Sequence, residues 1–349
     1  MMNLIFFKKF MQLISLNKYF YLMLIFGILI TINSSSWIGA WMGMEVNLLS
    51  FIPLLMNSSN KLSKFSNSSM MYYIIQVGAS SFLFMSILMM KMNLIFMNMN
   101  FFMILLQISL ILKLGASPFH WWLVKIINNI SWLNCFFILT IQKIAPLFIL
   151  ININNSLIIY MSMILSGFMG SLLGLNQTSL KLIMAYSSIN HMSWMFMSML
   201  IDFYILLIYL MIYSLNNLMI CIFFSYFNMN YLNQVYKFNN MSYFMKFMVM
   251  MMFMSMAGIP PMFGFIPKFF VFILMVNNKF FIECLIFIIF TLIVLFYYMN
   301  LILPTLLYLK LMFKLNLNNF MFNFYFFMII LFNVFIMLMI YFIMLYFNM

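Results

Sequence analysis

The sequence has no arginine and only three acids, Glu45, Asp202 and Glu283, among 349 residues. Without arginine, no ion path can work through an intramembrane guanidinium. With three scattered acids there is little to build a carboxylate cation site. Two histidines far apart, His120 and His191, cannot ligate a pair of haems or a haem and copper, which use several His or Cys ligands. The three cysteines, Cys135, Cys221 and Cys284, are also far apart and sit in apolar runs. They give no disulfide framework and no metal or iron–sulfur spacing, and read as small buried hydrophobes. No glycine-rich dinucleotide fingerprint follows a strand pattern.

What is there is hydrocarbon. Apolar residues make up 68% of the chain and charged residues 5%, and the mean hydropathy of +1.15 excludes a soluble globular protein. A helix needs roughly 20 apolar residues to cross about 30 Å of bilayer core, and such runs follow one another along almost the whole chain. Residues 1–349 therefore read as a single integral membrane domain, all-α and polytopic. The net charge of +13 comes from lysines scattered between apolar runs, so it reports membrane topology and not nucleic-acid binding. The 45 methionines and 46 phenylalanines fit AT-rich codons and a genetic code in which ATA also reads as Met, as in animal mitochondria. The first residues carry Lys8, Lys9 and Lys18 with no cleavage pattern, and the next apolar run is full length. They read as leading into a first span, not as a signal peptide.

About eleven spans fit, near 19–35, 36–56, 70–90, 100–127, 132–151, 157–175, 180–200, 204–227, 244–276, 280–303 and 320–347, with joints rich in Asn and Ser. If the N-terminus lies on the side of synthesis, eleven lysines, Lys246 among them, fall on that side. Only Lys91 and Lys279 fall on the other. That is the positive-inside pattern, and an odd number of spans puts the C-terminus on the far side.

Three lysines belong to neither face: Lys113, Lys143 and Lys268 lie inside apolar runs. A lysine at mid-bilayer costs roughly 2.5–3.5 kcal/mol, so its retention points to an ion or proton path. Two of the spans are also interrupted. Residues 113–120, Lys-Leu-Gly-Ala-Ser-Pro-Phe-His, place Gly115 and Pro118 mid-run; the segment Gly258–Lys268 holds three prolines and two glycines. Proline removes a backbone donor, and broken backbone at membrane depth needs protein or a wet cavity to satisfy it. Two readings stand: simple proline kinks, or the paired broken helices of an inverted-repeat transporter. The halves would be 36–151 and 157–303, with an extra helix at 320–347.

Glu45 is the one acid well inside a span, and the embedded lysines are its candidate partners. Burial disfavours the charged form of either group and an opposite charge restores it. Such a pair is either a switch, closed to hold the lysine protonated and open to release the proton, or a static bridge. Lys143 has no evident carboxylate partner and either lies in a hydrated cavity or reaches an interface by snorkelling. His120, beside a break, and His191, among Ser187, Ser188, Asn190 and Ser193, are either proton relays or hydrogen-bonded packing residues. Asp202 and Glu283 fall near span ends and are expected to be solvated.

Several stretches resemble a known family. They are residues 36–55 (Ser-Trp-Ile-Gly-Ala-Trp-Met-Gly-Met-Glu-Val-Asn onward), Leu112–Trp121, Gln142-Lys-Ile-Ala-Pro146, Leu175–Leu180 with Ala185–His191, and Gly258–Lys268. Together they resemble the antiporter-like membrane-arm subunits of mitochondrial NADH:ubiquinone oxidoreductase (respiratory complex I), in the insect subunit 2 type. The resemblance implies an inverted repeat of five-helix units with two broken helices. It implies a helix-embedded glutamate at Glu45, its partner at Lys113, a central lysine at Lys143 and a lysine toward the exit at Lys268. It places His120 and His191 on a hydrated axis. Departures are a long tail before Lys18, Lys181 alone where relatives often have two bases, and Phe269 where tryptophan is common.

The expected function is proton translocation in the complex I membrane arm, as one subunit of an NADH:ubiquinone reductase. NADH, FMN, iron–sulfur clusters and ubiquinone would be handled in other subunits, with no cofactor or metal in this chain. Expected partners are other membrane-arm subunits, including neighbouring antiporter-like ones, and lipids such as cardiolipin, with no nucleic acid. The expected location is the mitochondrial inner membrane, N-terminus in the matrix and C-terminus in the intermembrane space. The rival expectation is a stand-alone cation/proton antiporter of the same fold.

Overall fold

A computed structural model describes residues 2–57, 62–92, 99–153, 157–237, 243–260 and 262–312. The expected last span, 320–347, lies outside the described residues, as does the joint at 316–319. Among the described residues every regular element is a helix, apart from one isolated antiparallel bridge between Ser179 and Tyr231. All ten expected spans on described residues coincide with a helix or a pair of helices. Among the described residues, six helical stretches are long and apolar enough to cross a membrane, and shorter apolar helices accompany them. The chain divides into two compact units, with the division after Leu165.

The first unit holds α1 (Met2–Asn33), α2 (Trp37–Asn57), α3 (Leu62–Lys91), α4 (Met99–Leu114), α5 (Trp121–Asn129), α6 (Trp132–Leu139) and α7 (Ile141–Ile151). It also holds the start of α8 (Leu157–Gly174). Only Ser34–Ser36 separate α1 from α2, and the Ser36 hydroxyl accepts from the Gly39 amide at 3.2 Å, capping the start of α2. The two helices cross closely because both are glycine at the contact: a Cβ on Gly27 would lie 2.9 Å from the Gly43 carbonyl, and one on Gly43 would lie 2.9 Å from that of Gly27. Small residues allow this approach where lipid offers no hydrophobic drive. Two helices begin earlier than expected: α1 starts at Met2, not near residue 19, and α3 at Leu62, not near residue 70.

The second unit holds the rest of α8, then α9 (Leu180–Ile201), α10 (Phe203–Tyr226), α11 (Leu232–Lys237), α12 (Tyr243–Ala257), α13 (Phe265–Asn277) and α14 (Phe281–Met312). Helix α9 is buried throughout from Ile183 to Ser198 although it carries four serines, Asn190 and His191 there. Asp202 starts α10, its carboxylate accepting from the Tyr204 amide at 3.1 Å, as an N-cap should.

Both expected breaks are present, and they end their helices in the same way. Gly115 (φ +69°) follows α4 and Gly258 (φ +76°) follows α12. The Gly115 amide donates to Ile111 and Leu112, and that of Ala116 to Ile111; the Gly258 amide donates to Met254 and Ser255, and that of Ile259 to Met254. This is the left-handed glycine cap that satisfies the last carbonyls of a helix. A third interruption was not expected. The span 132–151 breaks at Thr140 (φ −123°, ψ −70°), whose amide and hydroxyl both turn back to the Phe136 carbonyl. Pro146 lies inside α7; it lacks the amide that would reach the Gln142 carbonyl, and its ring crowds that carbonyl.

Candidate functional site

In the first unit, helices α2 to α7 line a cavity of about 20 Å³, room for about one or two waters. Lys113 at the end of α4 and Lys143 in the first turn of α7 both line it, with Asn47, Gln76 and Gln142 as the other polar residues and Met44, Tyr72 and Trp122 among its walls. Lys113 is 7% exposed and Lys143 1%, so neither amine snorkels. The sequence isolated these two lysines by cost alone; the fold brings them to one polar void.

The cavity is framed by hydrogen bonds that also repair the first break. Gln76 Nε2 donates to the Lys113 carbonyl at 3.3 Å, and Trp122 Nε1 donates to that of Leu112 at 3.1 Å. Both carbonyls belong to the last turn of α4, beyond the regular helical ladder; that of Leu112 also accepts from the Gly115 amide at 3.2 Å. Gln142 Nε2 donates to Asn47 Oδ1 at 3.0 Å, tying α7 to α2 beside Lys143. Because neutral donors take the helix-end carbonyls, the Lys113 amine is directed elsewhere. Its contact is Met44 Sδ, at 3.7 Å.

The expected Glu45–Lys113 pair is not closed. Glu45 Oε1 is buried without a protein hydrogen-bond partner, and its charge acts on Lys113 through space. Met44 occupies the amine's contact instead, because it precedes Glu45 on α2 and faces the cavity. His120 does not line the cavity. It stands at the start of α5, half-buried, with Nδ1 3.2 Å from Ser117 Oγ.

In the second unit, Lys268 on α13 is 6% exposed, and its Nζ donates to the Met256 carbonyl at 3.2 Å and the Ala257 carbonyl at 2.8 Å. These are the two carbonyls left over where α12 stops. The amine thus does in the second break what Gln76 and Trp122 do in the first, and it meets the negative end of a helix dipole. Gly258 is needed for this approach, since a Cβ there would fall 2.9 Å from Lys268 Nζ. His191 on α9 is 6% exposed, with Nδ1 2.7 Å from the Tyr209 hydroxyl and its ring centre 5.1 Å from that of Tyr213.

Sequence reasoning missed Asn47, Gln76 and Tyr209. Gln76 and Asn47 are amides inside apolar runs, a signal that could have been weighed with the lysines. Tyr209 carries no such mark among 19 tyrosines. Lys246, counted in sequence with the lysines on the side of synthesis, is 5% exposed within α12. That helix starts at Tyr243, so Lys246 falls on the packed side of its first turn.

Comparison with known proteins agrees with this architecture. Residues 34–295 match the family described as NADH:quinone oxidoreductase/Mrp antiporter, transmembrane. The NADH-ubiquinone oxidoreductase chain 2 of Anopheles gambiae is 44% identical over 257 residues, covering 72% of this chain and 74% of that one. The chain of the same name from Locusta migratoria is 40% identical over 280 residues, covering 79% and 81%. A chain in the structure of respiratory complex I from Thermus thermophilus with bound aureothin superposes with a TM-score of 0.75 at 18% identity, covering 83% of this chain and 70% of that one. The chain belongs to the NADH:quinone oxidoreductase/Mrp antiporter transmembrane family.

Proposed function

We propose that this chain is a proton-translocating membrane-arm subunit of a complex I-type NADH:ubiquinone oxidoreductase. It works in the mitochondrial inner membrane, N-terminus in the matrix and C-terminus in the intermembrane space. Electron transfer from NADH to ubiquinone, with its flavin and iron–sulfur centres, takes place in other subunits, and this chain supplies part of the proton path. Its partners are the other membrane-arm subunits, neighbouring antiporter-like ones included, and lipids such as cardiolipin. The relatives named NADH-ubiquinone oxidoreductase chain 2 support the assignment.

One observation carries the mechanism: Lys113 and Lys143 share a buried polar cavity with room for water. An amine gives up a proton by passing it to a hydrogen-bonded acceptor, and one water between two amines provides both acceptor and donor. With Glu45 near, its negative charge favours the protonated form of Lys113; when Glu45 is withdrawn or neutralised, the proton moves through water to Lys143. His191 and Lys268 continue the path in the second unit, and Lys268 exchanges toward the intermembrane space. The Met44 contact at Lys113 corresponds to the open stage of the Glu45–Lys113 switch. The two glycine-capped breaks, with their matching hydrogen bonds, are the counterparts of one inverted repeat.

The test is the number of protons pumped per NADH oxidised after Lys143→Met in the assembled complex. The proposal requires fewer. Wild-type stoichiometry with intact assembly defeats it.

A further inference from the structure

His191 stands beside a cluster of buried hydroxyls. Its Nδ1 meets the Tyr209 hydroxyl at 2.7 Å, and Tyr209 lies within electrostatic reach of Tyr298 on α14. The neighbours of the Tyr298 hydroxyl are Ser187, one turn before His191 on α9, and Tyr297, whose ring centre is 4.6 Å from that of Tyr298. Tyr297 in turn packs under Gly174, where a Cβ would meet its ring at 2.9 Å. Gly174 is the last residue of α8; beyond it Asn176 and Thr178 are exposed. The series thus follows α9 from mid-helix to its N-terminus, on the order of 16 Å at 1.5 Å per residue.

The Tyr209 hydroxyl is paired with His191 and that of Ser187 donates to the Met184 carbonyl at 2.9 Å, whereas the two remaining hydroxyls are costly where they are. Tyr209, Tyr297, Tyr298 and Ser187 are each 3% exposed or less. The Tyr297 and Tyr298 hydroxyls are buried with no protein hydrogen bond of standard geometry. A buried hydroxyl without a partner costs about 1–3 kcal/mol, and phenylalanine would fill the same space without that cost. The arrangement is stable where water links the hydroxyls, since a buried water bridges groups that offer it about two to four polar partners.

We propose that Tyr209, Tyr298, Tyr297 and Ser187, with bridging water, form a proton-relay branch joining His191 to the aqueous face at the 175–178 turn. Each hydroxyl accepts a proton on its oxygen and releases its own to the next acceptor. Only O–H and N–H bonds form and break, no electrons move, and the hydroxyls rotate back between passages. The branch rests on the proton-translocation reading above and gives it an uptake route on the side this turn faces.

The experiment compares Tyr297→Phe, Tyr298→Phe and Lys143→Met in the assembled complex, reading protons pumped per NADH. Phenylalanine keeps the ring and removes the hydroxyl. Reduced stoichiometry in all three supports the branch. Reduction in Lys143→Met alone overturns the branch and leaves the wider reading standing; no reduction in any overturns both. Radiolytic hydroxyl labelling of the unmodified complex reads the hydration independently of assembly. Tyr297 and Tyr298 are expected to label several-fold more than Phe253, whose ring centre lies 5.9 Å from that of Tyr298. Labelling no greater than that of Phe253 would overturn the branch.

Discussion

At the scale of single residues, three lysines do different work for a reason the backbone supplies. Lys113 faces a cavity because Gln76 and Trp122 already satisfy the last carbonyls of its helix. Lys268 is held by two such carbonyls itself, each hydrogen bond contributing about 0.5–1.5 kcal/mol. Lys268→Met should therefore loosen the end of α12, raising hydrogen exchange at the Gly258 and Ile259 amides about tenfold or more. Exchange unchanged there would mean the lysine holds nothing. Glu45 and Met44 separate charge from packing. Glu45→Gln keeps the shape and removes the charge felt by Lys113, so it should lower the protons pumped per NADH. Met44→Leu is a volume-conserving exchange costing less than about 1.5 kcal/mol, and should leave that ratio unchanged; the reverse result would make the Met44 contact the functional one. The embedded lysines were legible in the sequence because a charge in an apolar run is costly wherever it points. The Met44–Lys113 contact was not, because spacing along two helices does not say which of two adjacent residues, Met44 or Glu45, meets the amine.

At the scale of elements, the two expected breaks were legible through glycine and proline, and the structure adds that each depends on one glycine with positive φ. At Gly115 a Cβ would also fall 2.8 Å from Leu123 Cδ1. Gly115→Ala should lower stability by at least about 1–2 kcal/mol, the cost of left-handed backbone for a residue with a Cβ. This would be read as a lower melting temperature of the assembled complex. Gly78→Ala is the control: nothing lies within 4 Å of a Cβ there, and within α3 alanine favours helix over glycine by about 1 kcal/mol. Equal losses from both would contradict the assignment. The interruption at Thr140 was illegible because threonine is no breaker. Its backbone (φ −123°, ψ −70°) nevertheless leaves the helical region and ends α6. That break sets the start of α7 and so places Lys143 in its first turn, against the cavity.

At the scale of the whole molecule, hydropathy alone was enough to place ten spans, since a bilayer demands long apolar helices and little else. The same uniformity hid the interior. Helix α9 is polar and almost wholly buried, yet its serines, Asn190 and His191 read in sequence only as a slightly wet stretch. Topology counting assigns Lys246 a side by order along the chain and says nothing of what packs around it, and it is in fact buried. Membership of the NADH:quinone oxidoreductase/Mrp antiporter family fixes the architecture, whereas the chemistry rests on whether buried amines share water. The most direct measurement is a membrane-arm density map of the assembled complex with resolved waters. The expected result is ordered water between the amines of Lys113 and Lys143, both turned into the cavity beside Asn47, Gln76 and Gln142. A dry cavity, or either amine turned out to headgroups or bulk solvent, would contradict it.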